Sequence, residues 1–497
     1  MRATLARDIS ASFVVFLVAM PLCMGIAIAS GVPPERGLLT GIIGGIVVGL
    51  LSGAPLQVSG PAAGLVVIVY EIVEQQGMGA LAAILVVAGL LQGLAGLLRL
   101  GRWFRAISPA VVHGMLAGIG VLIVVGQIHV LVDEKPLSSG IANLAAMPGV
   151  LLDAFVPAGD SNAAALAVGL VTIAGLLAWE RWRPAVLQLV PGALIGVAAG
   201  SALAMGLDLN VARVAMPETL QHVVSLPDAG IAGLLLKPDI LMTAFALAFV
   251  ASAETLLSAA AVDRMQDRVR TNHDRELLAQ GVGNGLCGLL GGLPMTGVIV
   301  RSSANVQAGA MTRLSTILHG VLILVSVALL AGVLELVPMS ALAAVLVVIG
   351  WRLVSLRHVR ELFHAHGPMP VAIWAVTTVG VVAVDLLTGV LAGIALSIME
   401  SLPHLRRPVL RIRRRDNEAT TELRLAGIGT FIGLPRLLSA VEAVPSDRSV
   451  RIRTRGLSHV DHTFASALRE MAQSDKTTGP RVTLVDAHRL DAIESAA

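Results

Sequence analysis

Charge is scarce in this chain. Asp, Glu, Lys and Arg account for 14% of its 497 residues, against about 25% in soluble domains. Hydrophobic side chains make up 55%, and the mean hydropathy is +0.81, so most of the chain is solvated by lipid. Cysteine is scarcer still: Cys23 and Cys287 are the two present, both inside apolar runs, which excludes a disulfide framework. No Cys/His spacing suits a metal, and no nucleophile–base constellation supports an enzyme, so no cofactor is expected beyond a coupling ion. The net charge of +3 and isoelectric point near 9.3 do not signal nucleic acid. The arginines punctuate gaps between apolar runs instead of forming a binding face.

What the chain has is a succession of apolar runs. A spanning helix needs about 20 apolar residues, with a range of roughly 17 to 25. Fourteen candidates begin near residues 9, 36, 60, 79, 107, 163, 185, 238, 275, 298, 313, 338, 370 and 386. The third and tenth are short, and Asp385 interrupts the run shared by the last two. The first reads as a membrane helix and not a signal peptide, because its basic flank is weak and many spans follow. Lys and Arg in short loops set orientation. With Arg2 and Arg7 in the cytoplasm, the same side receives Arg99, Arg102 and Arg105; Arg181 and Arg183; Arg264, Arg268, Arg270 and Arg275; Arg313; Arg352, Arg357 and Arg360; and the run from Arg406 to Arg415. The opposite gaps hold Asp133, Glu134, Asp153, Asp160, Glu218 and Glu335. Both termini are therefore expected in the cytoplasm of a multi-pass protein of the cell (inner) membrane.

A polar loop at residues 207–236 separates seven spans from seven. An odd number per half makes the repeat inverted. The expected fold is an all-α polytopic membrane protein, residues 1–415, with repeats at about 8–206 and 237–402. After Arg415 the composition changes, and residues 416–497 read as a small cytoplasmic α/β domain. Its strands are expected at Leu423–Thr430, Val450–Thr454 and Val482–Val485, its helices at Leu434–Val444 and Thr463–Met471. Asp461-His462-Thr463 reads as a helix cap, with a regulatory phosphosite as the alternative.

Two matched breaks carry the chemistry. Val58-Ser59-Gly60-Pro61-Ala62-Ala63-Gly64 and Leu293-Pro294-Met295-Thr296-Gly297, leading into Val300-Arg301-Ser302-Ser303, each read as an extended lead-in to a half-helix. Such pairs mark transporter binding sites. A helix start offers unpaired N–H donors and roughly half a positive charge, so two starts facing one cavity hold an anion. Arg301 adds a fixed cation. Glu254, deep in the eighth span, costs roughly 2.5–3.5 kcal/mol near the bilayer centre and is thereby marked as functional. Ser258 lies one turn further on the same face, so the pair suits Na⁺, or Glu254 alone suits a proton. With Glu254 ionised the two charges cancel and a monovalent anion fits; a dianion fits when Glu254 is protonated or cation-paired. A structural ion pair between Glu254 and Arg301 is the plainer alternative. His113, Gln127, His319 and Asp385 read as interhelical hydrogen-bonding groups.

The run Gly297-Val298-Ile299-Val300-Arg301-Ser302-Ser303-Ala304-Asn305-Val306-Gln307-Ala308-Gly309 with Thr312-Arg313 resembles the sulfate permease (SulP) family. So do Ser59-Gly60-Pro61-Ala62-Ala63, Glu254-Thr255-Leu256-Leu257-Ser258, and the C-terminal segment, which looks like a short STAS domain. The resemblance implies fourteen spans, a core domain moving against a gate domain, a homodimer, and a cytoplasmic regulator for the STAS-like part. It implies anion contacts at Leu22, Cys23, Gly60, Pro61, Ala62, Val300, Arg301 and Ser302, and coupling-ion contacts at Glu254, Ser258, Gly297 and Ile299. Met20-Pro21-Leu22 looks closer to bicarbonate-type bacterial members than to sulfate-type ones. Ile299 stands where sodium-coupled members carry a hydroxyl. The expected function is secondary transport of bicarbonate or sulfate coupled to Na⁺ or H⁺. The alternatives are a nucleobase symporter of the same fold and a membrane-anchored sensor or scaffold.

Overall fold

The computed structural model describes residues 2–101, 108–137, 139–155, 160–184, 187, 190–214, 224, 230–266, 269, 271–329, 331–401, 410–417, 420–430, 433–445, 448–473 and 482–486. Two compact units divide the chain: Met1–Arg99, Ile119–Met265 and Thr271–Val354 make the first, and Leu100–Gly118, Gln266–Arg270 and Ser355–Ala497 the second.

The chain begins with α1 (Arg2–Ala29) and α2 (Pro34–Ile43), the latter opening on a proline whose fixed φ suits a first helical turn. A π-helical stretch, Gly44–Val48, carries α2 on towards Leu51. Glycine is required along this element because neighbours press on it. A Cβ at Gly41 would sit 2.8 Å from Cys23 Sγ, one at Gly44 2.6 Å from Ser59 O, and one at Gly45 2.8 Å from His319 Cε1. After it come β1 (Ser59–Pro61) and α3 (Val66–Leu97), preceded by a 3₁₀ turn at Ala63–Leu65. The path continues through α4 (Pro109–Leu131), α5 (Gly140–Phe155), α6 (Asp160–Trp182), α7 (Gly192–Gly206), α8 (Pro238–Met265), α9 (His273–Leu290), β2 (Met295–Gly297), α10 (Ile299–Gln307), α11 (Leu314–Leu329) and α12 (Met339–Leu353).

Among the described residues, six helices are long and apolar enough to cross a membrane, and further apolar helices are shorter. Small residues let them close in: Gly89 of α3 abuts Gly281 and Gly285 of α9 backbone to backbone, the packing lipid-solvated helices favour. Gly77 (φ 79°, ψ 174°) breaks α3, which leaves an opening segment of about 16 Å, while α10 is about 14 Å long. Each is roughly half the ~30 Å hydrocarbon core. The start expected near residue 60 falls in a strand, because Ser59 to Pro61 pair with β2, and the helical path opens with the 3₁₀ turn at Ala63. The expected starts near 107 and 185 lie outside the described residues.

In the second unit, α13 (Leu356–His366) precedes α14 (Pro368–Ala383) and α15 (Leu386–Ser401). Asp385 is a cap and not the interhelical group expected from sequence. Its Oδ1 accepts from Thr388 N–H at 2.8 Å and its Oδ2 from the Thr388 hydroxyl at 2.6 Å, the ordinary use of Asp where a helix starts.

The C-terminal sheet runs β3 (Arg411–Asp416), β4 (Thr420–Gly429), β5 (Ser449–Val460), β6 (Val482–Val485), in that order, the first pair antiparallel and the others parallel. Helices α16 (Leu434–Glu442) and α17 (His462–Gln473) make the crossovers. Leu423, Leu425, Leu437, Ile452, Phe464 and Leu468 fill its core. β3 was not foreseen: four of its six residues are arginine, and from sequence they read as the cytoplasmic flank of the last span, yet the strand pairs fully with β4. Asp461 caps α17, accepting Phe464 N–H at 2.7 Å.

Candidate functional site

β1 and β2 pair antiparallel, with Ser59 opposite Gly297, Gly60 opposite Thr296 and Pro61 opposite Met295. The ladder is extended by Ala62 N–H to Pro294 O at 3.2 Å and Val298 N–H to Val58 O at 2.9 Å. The half-helices therefore leave from opposite ends of one strand pair, and their free N–H groups flank it.

Arg301, in the first turn of α10, is 0% exposed, and none of its Nε, Nη1 and Nη2 atoms has a hydrogen-bond partner. Leaving a buried guanidinium unsatisfied costs several kcal/mol, and such groups in native proteins mark ligand or functional sites. Its head lies on the backbone of β1: a Cβ on Gly60 would overlap Nη1. The Cys23 thiol of α1 and the His319 ring of α11 are its electrostatic neighbours.

Glu254 does not pair with Arg301, contrary to the plainer alternative. Its Oε2 is buried and unpartnered, and it lies against the other half-helix, where a Cβ on Gly64 would come 2.9 Å from Oε2. Thr296 Oγ1 lies beside the carboxylate and is itself buried without a partner. Ser258 is buried one turn on.

The other expected site residues divide into three groups. Leu22, Cys23 and Ala62 are buried, and Gly60 and Pro61 are buried in β1. Two are committed to the scaffold. Ser302 Oγ accepts Val58 N–H at 2.9 Å and donates to Val298 O at 2.7 Å; Gly297 N–H donates to Thr255 Oγ1 at 3.1 Å. Ile299 and Val300 are 38% and 45% exposed, outside the buried polar cluster, because the first turn of α10 turns only Arg301 and Ser302 inward.

The residues that hold the strand pair escaped sequence reading. On α9, Glu276, Gln280 and Asn284 recur every fourth position and are all 0% exposed. Glu276 Oε2 accepts the Ser52 hydroxyl at 2.6 Å and the N–H groups of Gly53 and Ala54 at 2.9 and 3.0 Å. Gln280 Nε2 donates to Ser59 Oγ at 2.6 Å. Asn284 grips Met295, accepting its N–H at 2.8 Å and donating to its carbonyl at 3.1 Å. The signal was an i, i+4, i+8 polar stripe in an apolar span. His319 also makes no interhelical bond: its Nδ1 meets Thr316 O in its own helix at 2.6 Å.

Helices broken at matched points of a polytopic membrane protein are the architecture of secondary transporters. Sequence comparison places the chain more closely. The profile of the sulfate permease family matches residues 5–377, and the chain belongs to that family, whose members are transporters. YvdB of Bacillus subtilis (strain 168), provisionally named a sulfate transporter, is 30% identical over 411 residues, 79% of this chain and 73% of its own length. The transmembrane domain of a cyanobacterium bicarbonate transporter, BicA, superposes with a TM-score of 0.66 at 22% identity, covering 79% of this chain and 97% of that one. The murine Slc26a9 anion transporter in its inward-facing state gives 0.70 at 15% identity, covering 100% and 88%. At these identities the two structures share its fold. The nucleobase and scaffold readings gain nothing from these likenesses.

Proposed function

We propose that the chain is a secondary active carrier of a small inorganic anion, bicarbonate or sulfate, working by alternating access in the cell (inner) membrane. The observation that carries this is the wholly buried Arg301 with three unpartnered nitrogens, set between the starts of two half-helices. Each helix start adds about 0.3–2 kcal/mol of attraction, and with Arg301 this supports millimolar affinity, for which about 4 kcal/mol is enough. A carrier must release what it binds, so weak affinity suits it.

In this reading the fourteen helical segments cross the membrane as a 7+7 inverted repeat with both termini cytoplasmic, and the C-terminal sheet is a STAS-like domain. A homodimer and a cytoplasmic regulator of that domain belong to the same proposal. The anion contacts are Leu22, Cys23, Gly60, Pro61, Ala62 and Arg301, with the backbone at Val300 and Ser302. Glu254 and Ser258 bind the coupling ion, Na⁺ or H⁺, and Thr296 supplies the hydroxyl that Ile299 lacks.

Uptake of labelled bicarbonate and sulfate into proteoliposomes, with and without Na⁺ and pH gradients, tests this. Arg301→Ala is expected to reduce uptake at least about tenfold, the effect of losing about 1.4 kcal/mol, and Glu254→Gln to abolish its dependence on the driving gradient. Wild-type behaviour in both variants would refute the site.

A further inference from the structure

His319, an electrostatic neighbour of Arg301, carries the opposite hydrogen-bonding chemistry. Its ring is 0% exposed. Thr316 O, 2.6 Å from Nδ1, is a carbonyl and accepts only, so Nδ1 carries the proton and the neutral ring presents Nε2 as a bare acceptor. Nε2 is buried and has no hydrogen-bond partner.

Two glycines one turn apart, Gly41 and Gly45, tie the ring to the site. A Cβ on Gly45 would meet His319 Cε1 at 2.8 Å, and one on Gly41 would meet Sγ of Cys23, the thiol beside Arg301, at 2.8 Å. One helix face thus borders both the surroundings of a cation that only donates and a neutral nitrogen that only accepts, neither bonded to the other. A bare anion satisfies the first and leaves the second facing a lone pair.

We infer that His319 is a specificity-determining residue that selects anions carrying their own O–H, their oxygens accepting from Arg301 while their hydroxyl donates to Nε2. This rests on the carrier reading and narrows it to hydrogen-bearing oxyanions. Bicarbonate has that pattern. Nitrate matches it in planar shape and charge but has no hydrogen, and sulfate at neutral pH has none either. Sites built to bond a ligand hydroxyl reject analogues lacking it far better than apolar pockets sort by size.

The test is competition by nitrate or unlabelled bicarbonate against labelled bicarbonate uptake in proteoliposomes of the full chain at pH 8. Wild type is expected to bind nitrate about tenfold more weakly than bicarbonate, the ratio given by one neutral hydrogen bond at the upper end of its range. His319→Phe keeps a ring but removes the acceptor and should cut that ratio to about threefold or less. His319→Gln, which restores an acceptor, should recover it. Equal competition by the two anions in wild type overturns the inference, as does an unchanged ratio in a His319→Phe protein that melts like wild type. If the Phe variant does not fold, the wild-type ratio and the Gln variant decide. Transport of both anions alike leaves the carrier reading standing and removes only this inference; a wild-type protein that moves neither removes both.

Discussion

The guanidinium of Arg301 rests directly on the backbone of Gly60, with no room for a Cβ between Nη1 and that glycine. The residue that supplies the charge comes from one half-helix, and the residue that makes space for it comes from the strand that leads into the other. Gly60→Ala should therefore displace Arg301 while leaving every charge in place. We expect uptake to fall at least about tenfold, as for about 1.4 kcal/mol, with KM affected more than the amount of folded protein in the membrane. Uptake equal to wild type at equal protein level would show that the contact does not set the site.

Asn284 makes two bonds to the backbone of Met295 and a third, at 2.7 Å, to Gln92 Oε1. Membrane-embedded side-chain bonds average about 0.6 kcal/mol, but stranding a buried backbone group costs about 1–3 kcal/mol. Asn284→Leu is expected to lower stability by about 2–4 kcal/mol on that basis, read as an earlier unfolding midpoint in denaturing detergent. A midpoint within error of wild type would mean β2 is held by its pairing with β1 alone.

Asp133, in the loop after α4, has positive φ (59°) and accepts Ala212 N–H on Oδ2 at 3.0 Å, while its Oδ1 is buried without a partner. Burial pushes its carboxyl above the ordinary range, the Ala212 bond pulling the other way. The folded state then binds the proton more tightly than the unfolded one. Its contribution is complete below the unfolded value of about 3.9 and is lost as pH rises through the folded value. Asn tolerates the same φ and keeps an acceptor, so Asp133→Asn should melt higher than wild type at pH 7 and show no such loss above pH 4. A melting difference that stays constant from pH 4 to 7 would contradict this.

Much of the helical architecture was legible because lipid imposes a coarse rule: apolar runs of fixed length. The paired breaks at Gly60 and Gly297 followed from residue type in an apolar context, whereas the burial of Arg301 and its separation from Glu254 show only in the packed structure. The spacing of the α9 stripe was visible but its role was not, because Glu276, Gln280 and Asn284 differ in type and only the packed structure shows that each addresses a different segment. β3 was missed for the opposite reason: its arginines lie on an exposed edge strand, where composition says nothing about pairing. Ser302 was placed at the site by analogy of position, whereas its hydroxyl is spent on Val58 and Val298.

Asp461 caps α17 through Phe464 N–H. Asp461→Ala should cost about 1 kcal/mol, seen as a lower melting temperature of the C-terminal sheet in full-length protein. An unchanged melt would return the Asp461-His462-Thr463 segment to the phosphosite reading.

The pairing of β1 with β2 has a mechanical consequence. The two halves of the chain share backbone hydrogen bonds at the point where both helices break, so the pocket has no seam there along which to part. Drawing the half-helices away from each other would rupture a ladder inside the membrane, where no water replaces the lost partners. The strand pair is thus a rivet: the starts of the two half-helices are tied to each other and move as one piece.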